Sequence, residues 1–227
     1  MSSHASGPSM APLRVLCLHG YRQNGASFRE KTGALRKLLK KNVDFVYVDA
    51  PHLLEQAQES AGARDGGEDP DRRGWWFSDP GARTFSAHLR CDESSGLDES
   101  VAAVRQAVRR HGPFDGVLGF SQGAALAAVL CALQESQREP DFAFRFAILV
   151  AGFRSACAQH LSFYSAPLGT ASLHVFGLED AVIPADMSRD LLPLFRDPHV
   201  LTHPGGHFVP AASAHRQNYQ NFLERFR

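Results

Sequence analysis

Apolar positions along the chain fall into two alternating rhythms. Short continuous apolar runs at Leu13–Leu18, Val43–Val48, Phe114–Phe120, Phe144–Val150, Ser172–Phe176 and His199–Thr202 predict buried strands. Helical spacing fills the intervals. Ser27–Lys41 places Phe28, Leu35, Leu38 and Leu39 on one face, and Leu97–Arg110 carries the stripe Leu97, Val101, Val104 and Val108. Ser121–Glu135, Ala185–Phe195 and Ala211–Phe226 read as further helices. Strands separated by helices predict one α/β domain, a mostly parallel sheet of about six strands with helices on both faces. Ligands of such sheets gather at the carboxyl ends of the strands, so chemistry is expected in the residues that follow each strand.

One stretch breaks the rhythm. Residues 54–96 hold clusters of Gly, Asp, Arg and Pro with no period, and long irregular stretches inside a domain are often functional. Within this insertion lie Trp75, Trp76 and Phe77. Two roles are open for them: walls of an apolar substrate pocket, or anchors that pin the insertion through their large buried area. Residues 1–12 are small and polar, without the basic stretch and apolar core of a secretory signal, and are expected to form a flexible tail ahead of a single domain at 13–227.

Charge narrows the range of partners. Lys and Arg total 24, as do Asp and Glu, so no overall field draws nucleic acid or an anionic membrane. The densest basic cluster, Arg36-Lys37 with Lys40-Lys41, reads as a solvated helix face. No apolar run approaches the roughly 20 residues that span a bilayer. These features predict a cytoplasmic protein, with the nucleus open to a chain of this size. Cys17, Cys91, Cys131 and Cys157 are scattered without a CxxC pattern and read as reduced packing residues.

The strongest chemical signal is Gly119-Phe120-Ser121-Gln122-Gly123, a G-x-S-x-G pattern between an apolar strand and the alanine-rich helix. That strand–turn–helix setting is what a nucleophile elbow requires, because the tight turn projects a serine hydroxyl above the sheet. Ser121 as a plain helix cap is the alternative. A serine hydroxyl is a weak nucleophile until a base takes its proton. In hydrolases built this way an Asp or Glu and then a His follow the serine in the chain. Glu179-Asp180 follows a strand, and spacing does not separate the two neighbours. His207 follows the last strand in the loop His203-Pro204-Gly205-Gly206-His207, where the glycines let the chain turn back over the sheet. Its loop position favours it over His203, which reads as a strand-end surface residue. The loop His19-Gly20-Tyr21-Arg22-Gln23-Asn24 closes the first strand. The main-chain N–H groups of Tyr21 and Gln122 are the expected oxyanion donors, and His19 is expected to shape the loop by hydrogen bonding. Residues 153–168, with Leu161, Phe163 and Tyr164, form a second candidate wall.

Taken together, Leu18-His19-Gly20-Tyr21-Arg22-Gln23-Asn24, Trp75-Trp76-Phe77, Gly119-Phe120-Ser121-Gln122-Gly123, Gly177-Leu178-Glu179-Asp180 and Gly205-Gly206-His207 resemble a family of serine hydrolases named for its fungal members, a branch of the α/β-hydrolases. The resemblance covers nearly everything after the first dozen residues. It implies carboxylesterase or thioesterase action on small acyl esters, with no metal and no organic cofactor. It also implies Asp180, in preference to Glu179, as the acid beside His207 and Ser121. A ligand-binding protein on a retained hydrolase fold is the reading from a different class.

Overall fold

The computed structural model describes residues 11–55 and 69–227. The tail at 1–10 and the part of the expected insertion at 56–68 lie outside the described residues. The chain opens with strand β1 (Leu13–Leu18), helices α1 (Gly25–Lys31) and α2 (Gly33–Leu39), and β2 (Val43–Val48). Two short strands, β3 (His52–Leu53) and β4 (Arg73–Gly74), pair antiparallel apart from the main sheet. Then follow α3 (Leu97–His111), β5 (Gly116–Phe120), α4 (Gln122–Glu135), β6 (Phe146–Val150) and β7 (Ala171–Gly177). Helix α5 (Ala185–Leu191), β8 (Pro198–His203) and α6 (Arg216–Glu224) complete the chain.

The main sheet has the order β2-β1-β5-β6-β7-β8, and every neighbouring pair is parallel. Every residue of β5 and β6 is buried, which requires cover on both faces and explains why these strands are apolar runs without alternation. Helix α4 is buried from Gln122 to Leu133. A helix apolar all round belongs in an interior, and its alanines let it lie close against β1, β5 and β6.

The one long helix expected at 27–41 is two helices that meet at Thr32. The Thr32 hydroxyl bonds back to the Phe28 carbonyl at 2.7 Å and pairs with the Tyr47 hydroxyl at 2.6 Å. A hydroxyl bonding back to the preceding turn competes with the helical ladder. Segment 185–195 likewise changes to a 3-10 turn at Leu192–Leu194, where Pro193 removes a helix donor.

Candidate active site

The β5–α4 turn forces Ser121 into an unusual backbone, φ 54° and ψ −116°. Such strain persists only where the surroundings hold it. Here Ser121 N donates to the Val150 carbonyl at 2.9 Å, and the Ser121 carbonyl accepts from Ala124 N and Ala125 N at 2.9 and 3.1 Å. The flanking glycines are a matter of space. A Cβ on Gly119 would stand 2.2 Å from the Gly123 carbonyl oxygen, and one on Gly123 would stand 2.2 Å from that of Leu18. The Ser121 side chain makes no capping bond to the helix. Capping therefore does not account for serine at this turn.

The acidic pair separates cleanly. Glu179 is exposed, whereas the Asp180 carboxylate is fully buried. Asp180 Oδ1 accepts from Val182 N at 2.9 Å and Ile183 N at 2.8 Å, and Oδ2 faces His207 Nδ1 at 2.7 Å. A carboxylate held by three donors cannot swing away, and it fixes the proton of His207 on Nδ1, leaving Nε2 with its lone pair. The His207 side chain is 20% exposed, and its ring lies 4.7 Å from that of Phe120, the residue before Ser121.

His203 differs from its expected place on the surface. It is buried, its Nδ1 accepts from Gly205 N at 3.2 Å, and its ring lies 4.8 Å from that of Phe208. It shapes the turn that presents His207. Burial, helped by the nearby His215, lowers its pKa.

His19 organises the first loop. Its Nδ1 donates to the Gly20 carbonyl at 2.7 Å, while Nε2 accepts from Ala50 N at 3.0 Å. This arrangement needs a neutral ring, and burial pushes the pKa down to about 4. Gly20 N donates to Gln23 Oε1 at 2.9 Å and Arg22 N to the Arg73 carbonyl at 2.9 Å. Between them, Tyr21 N has no acceptor among the described residues. Gln122 N stands in the first turn of α4, ahead of the helix's own ladder.

Trp75, Trp76 and Phe77 are 0%, 1% and 1% exposed. Trp75 Nε1 donates to the His19 carbonyl at 2.8 Å, Trp75 N donates to Gln122 Oε1 at 2.9 Å, and Gln122 Nε2 donates to the Trp76 carbonyl at 2.8 Å. The Ser100 hydroxyl also donates to the Trp75 carbonyl. These bonds anchor Trp75 and Trp76. One Gln122 side chain thus holds the insertion, while its backbone belongs to the serine turn.

Phe85, absent from the sequence-derived candidates, is a further aromatic residue of the insertion that packs on the first loop. Its ring lies 5.4 Å from Tyr21, 5.2 Å from Trp76 and 6.0 Å from Phe153. No period marks it in the sequence, and only the fold brings these four rings together. The second candidate wall, 153–168, holds a 3-10 turn over Ala158–Tyr164, pinned where Ser155 N donates to the Tyr164 hydroxyl at 2.8 Å. Leu161 on that turn is exposed.

Among the described residues, no three or more His, Cys, Asp or Glu side chains gather in a way that would hold a metal ion, and no helix is long and apolar enough to cross a membrane.

Residues 9–219 match the family described as serine hydrolase (FSH1). The chain is 63% identical to Esterase OVCA2 of Danio rerio, over 96% of this chain and 99% of that protein. It is 48% identical to Esterase OVCA2 of Homo sapiens, over 95% of this chain and 97% of that protein. Two solved structures share the fold at lower identity. SOBER1 of Arabidopsis thaliana has a TM-score of 0.62 at 16% identity, covering 95% of this chain and 99% of that one. Acyl-protein thioesterase 2 of Zea mays has a TM-score of 0.63 at 18% identity, covering 93% and 94%.

Proposed function

This chain belongs to the FSH1 serine hydrolase family, and from that premise we propose that it is a carboxylesterase acting through an acyl-serine intermediate, with Ser121 as nucleophile, His207 as base and Asp180 as the group that orients it. The observation that carries this reading is the part-buried Asp180–His207 hydrogen bond of 2.7 Å, set beside a serine turn whose hydroxyl is not used as a cap. The relatives named esterase, at 48–63% identity over most of the chain, support an ester substrate.

In this reading His207 Nε2 takes the Ser121 hydroxyl proton as Oγ attacks the acyl carbonyl. Negative charge grows on the carbonyl oxygen, and the N–H groups of Tyr21 and Gln122 receive it. Donors already aimed at that charge do not reorganise during the reaction, and each is worth about 3 kcal/mol to the transition state. Collapse of the tetrahedral intermediate expels the alcohol, which takes the proton from His207. Water then attacks the acyl-serine, His207 again acting as base, and the free acid leaves with Ser121 restored. Asp180 stays ionised throughout and stabilises the imidazolium that forms at each step. Besides substrate and water, these steps use side chains and backbone amides of this chain.

The test compares native protein with Ser121→Ala on p-nitrophenyl esters of graded acyl length and on a fluorophosphonate probe. The native protein should hydrolyse the esters and carry one probe per chain. The variant should carry none and lose about 10⁶-fold in kcat, with unchanged circular dichroism. Retained labelling in Ser121→Ala would remove Ser121 from the role. A folded native protein that ignores both esters and probe would favour a ligand-binding protein on a hydrolase fold. Labelling with turnover of thioesters in preference to esters would make it a thioesterase with the same three residues.

A further inference from the structure

Two of the four cysteines are brought face to face by the fold. Cys91, on the insertion, and Cys157, beyond β6, occupy opposite positions of an isolated parallel bridge, closed by Ala158 N donating to the Cys91 carbonyl at 2.8 Å. Neighbouring strands lie about 4.7–4.9 Å apart, inside the roughly 4.4–6.8 Å that a disulfide requires between its Cα atoms. The Cys157 thiol stands close enough to Cys91 to help raise its pKa. Cys157 is buried and its Sγ reaches the Asp92 carbonyl at 3.5 Å, while Cys91 is half-buried and so open to reagents.

The two segments are fastened around the sulfurs by other bonds. His160 joins them, its Nδ1 paired with the Ser155 hydroxyl at 2.7 Å and its Nε2 with the Ser94 hydroxyl at 2.9 Å. Ser94 N donates to Gln159 Oε1 at 3.0 Å. Cys17 and Cys131, by contrast, are enclosed in β1 and α4, where burial raises both thiols, Cys131 to about 12.

We propose that Cys91 and Cys157 are a reversible disulfide site, oxidised by low-molecular-weight disulfides such as oxidised glutathione, which would lock the insertion to the wall at 153–168. The electrons balance in two exchanges. The Cys91 thiolate attacks one sulfur of the reagent, forming a mixed disulfide and releasing one thiol. The Cys157 thiolate then attacks the Cys91 sulfur, closing the Cys91–Cys157 bond and releasing the second thiol, while both protein protons pass to the thiols released. The second exchange is intramolecular between pre-placed groups, so it outruns escape of the mixed disulfide. Burial and the neighbouring thiol push Cys91 up to about 11, so the first exchange is slow near neutral pH and quickens as pH rises.

The experiment incubates the native, reduced protein with oxidised glutathione between pH 7 and 9 and maps peptides without reduction. It is independent of ester hydrolysis, because its readout is mass. The expected result is a loss of about 2 Da, the two thiol hydrogens, on a linked peptide pair containing Cys91 and Cys157, reversed by dithiothreitol. The oxidation rate should rise about tenfold per pH unit, and the thermal midpoint of the oxidised form should rise by about 5 °C or more. Cys91→Ser and Cys91→Ala, at a half-buried position, should both abolish the linkage. A persistent glutathione adduct on Cys91, a linkage through Cys17 or Cys131, or an unchanged mass at pH 9 would each overturn the proposal.

Discussion

The serine turn and the insertion that leans against it are held by different kinds of interaction. In the turn, backbone meets backbone. Ser121 keeps a positive φ because Val150 and the first turn of α4 grip its peptide groups, and because Gly119 and Gly123 leave room that no side chain would. In the insertion, backbone meets side chain. Trp75 and Trp76 are fixed through the Gln122 amide, the Ser100 hydroxyl and the indole bond to the His19 carbonyl. The first kind of hold depends on absent atoms and tolerates no addition. The second depends on present atoms, each removable at a separate cost. Gln122 belongs to both, and it is the point where the two regions are joined.

Substitutions that touch the chemistry directly should have the largest effect. Asp180→Asn keeps the size and most of the bonding of the buried side chain but disturbs the His207 tautomer. We expect kcat to fall about 10⁴-fold with a small change in thermal midpoint, measured on the same p-nitrophenyl ester. A comparable fall in Glu179→Gln would instead point to the exposed neighbour.

Gln122→Ala tests the joint itself. It leaves the Trp75 N–H and the Trp76 carbonyl buried without partners, at about 1–3 kcal/mol each. Denaturant unfolding should report a loss of about 2–6 kcal/mol, and kcat/KM should fall roughly 10–100-fold as the first turn of α4 shifts. Lower stability with unchanged kcat/KM would separate the two regions.

Acid should weaken the first loop before it protonates the site's buried imidazoles. Burial lowers His19 to about 4 and His174, in β7, to about 3. Both folded values lie below the unfolded value of about 6.5, so the unfolded chain binds more protons on the way down. Stability is therefore full above about pH 6.5, falls as pH drops toward 4, and levels off once the folded rings protonate too. Each ring contributes at most about 1.4 kcal/mol per pH unit in that window. Urea midpoints at pH 7 and 4.5 should differ accordingly, and equal midpoints would contradict neutral buried rings.

The smallest effect on turnover is expected from Trp75→Phe, which removes the indole bond to the buried His19 carbonyl and part of a fully buried ring. It should cost about 1–3 kcal/mol in unfolding experiments and leave ester turnover within about threefold.

The order of strands and helices was legible in the sequence because burial imposes a local rhythm. The six apolar runs became the six parallel strands, with ends shifted by a few residues. The serine turn was legible for a related reason, since its steric demands fall within five consecutive residues. Elsewhere the chain left choices open. Glu179 and Asp180 are equivalent in spacing, and only the partners Val182, Ile183 and His207 show which carboxylate turns inward. Thr32, where two helices meet, bonds back to the Phe28 carbonyl and also pairs with Tyr47, fifteen residues away. Trp75, Trp76 and Phe77 read equally well as wall or anchor in the sequence, and the bonds to Gln122, Ser100 and His19 that hold Trp75 and Trp76 exist only in the packed fold. Phe85 and the Cys91–Cys157 pair carried no sequence signal at all. Rhythm and turn sterics act between near neighbours and are written in the order of residues. The pairing of groups far apart in the chain depends on how the elements pack, and that was decided only in the tertiary structure.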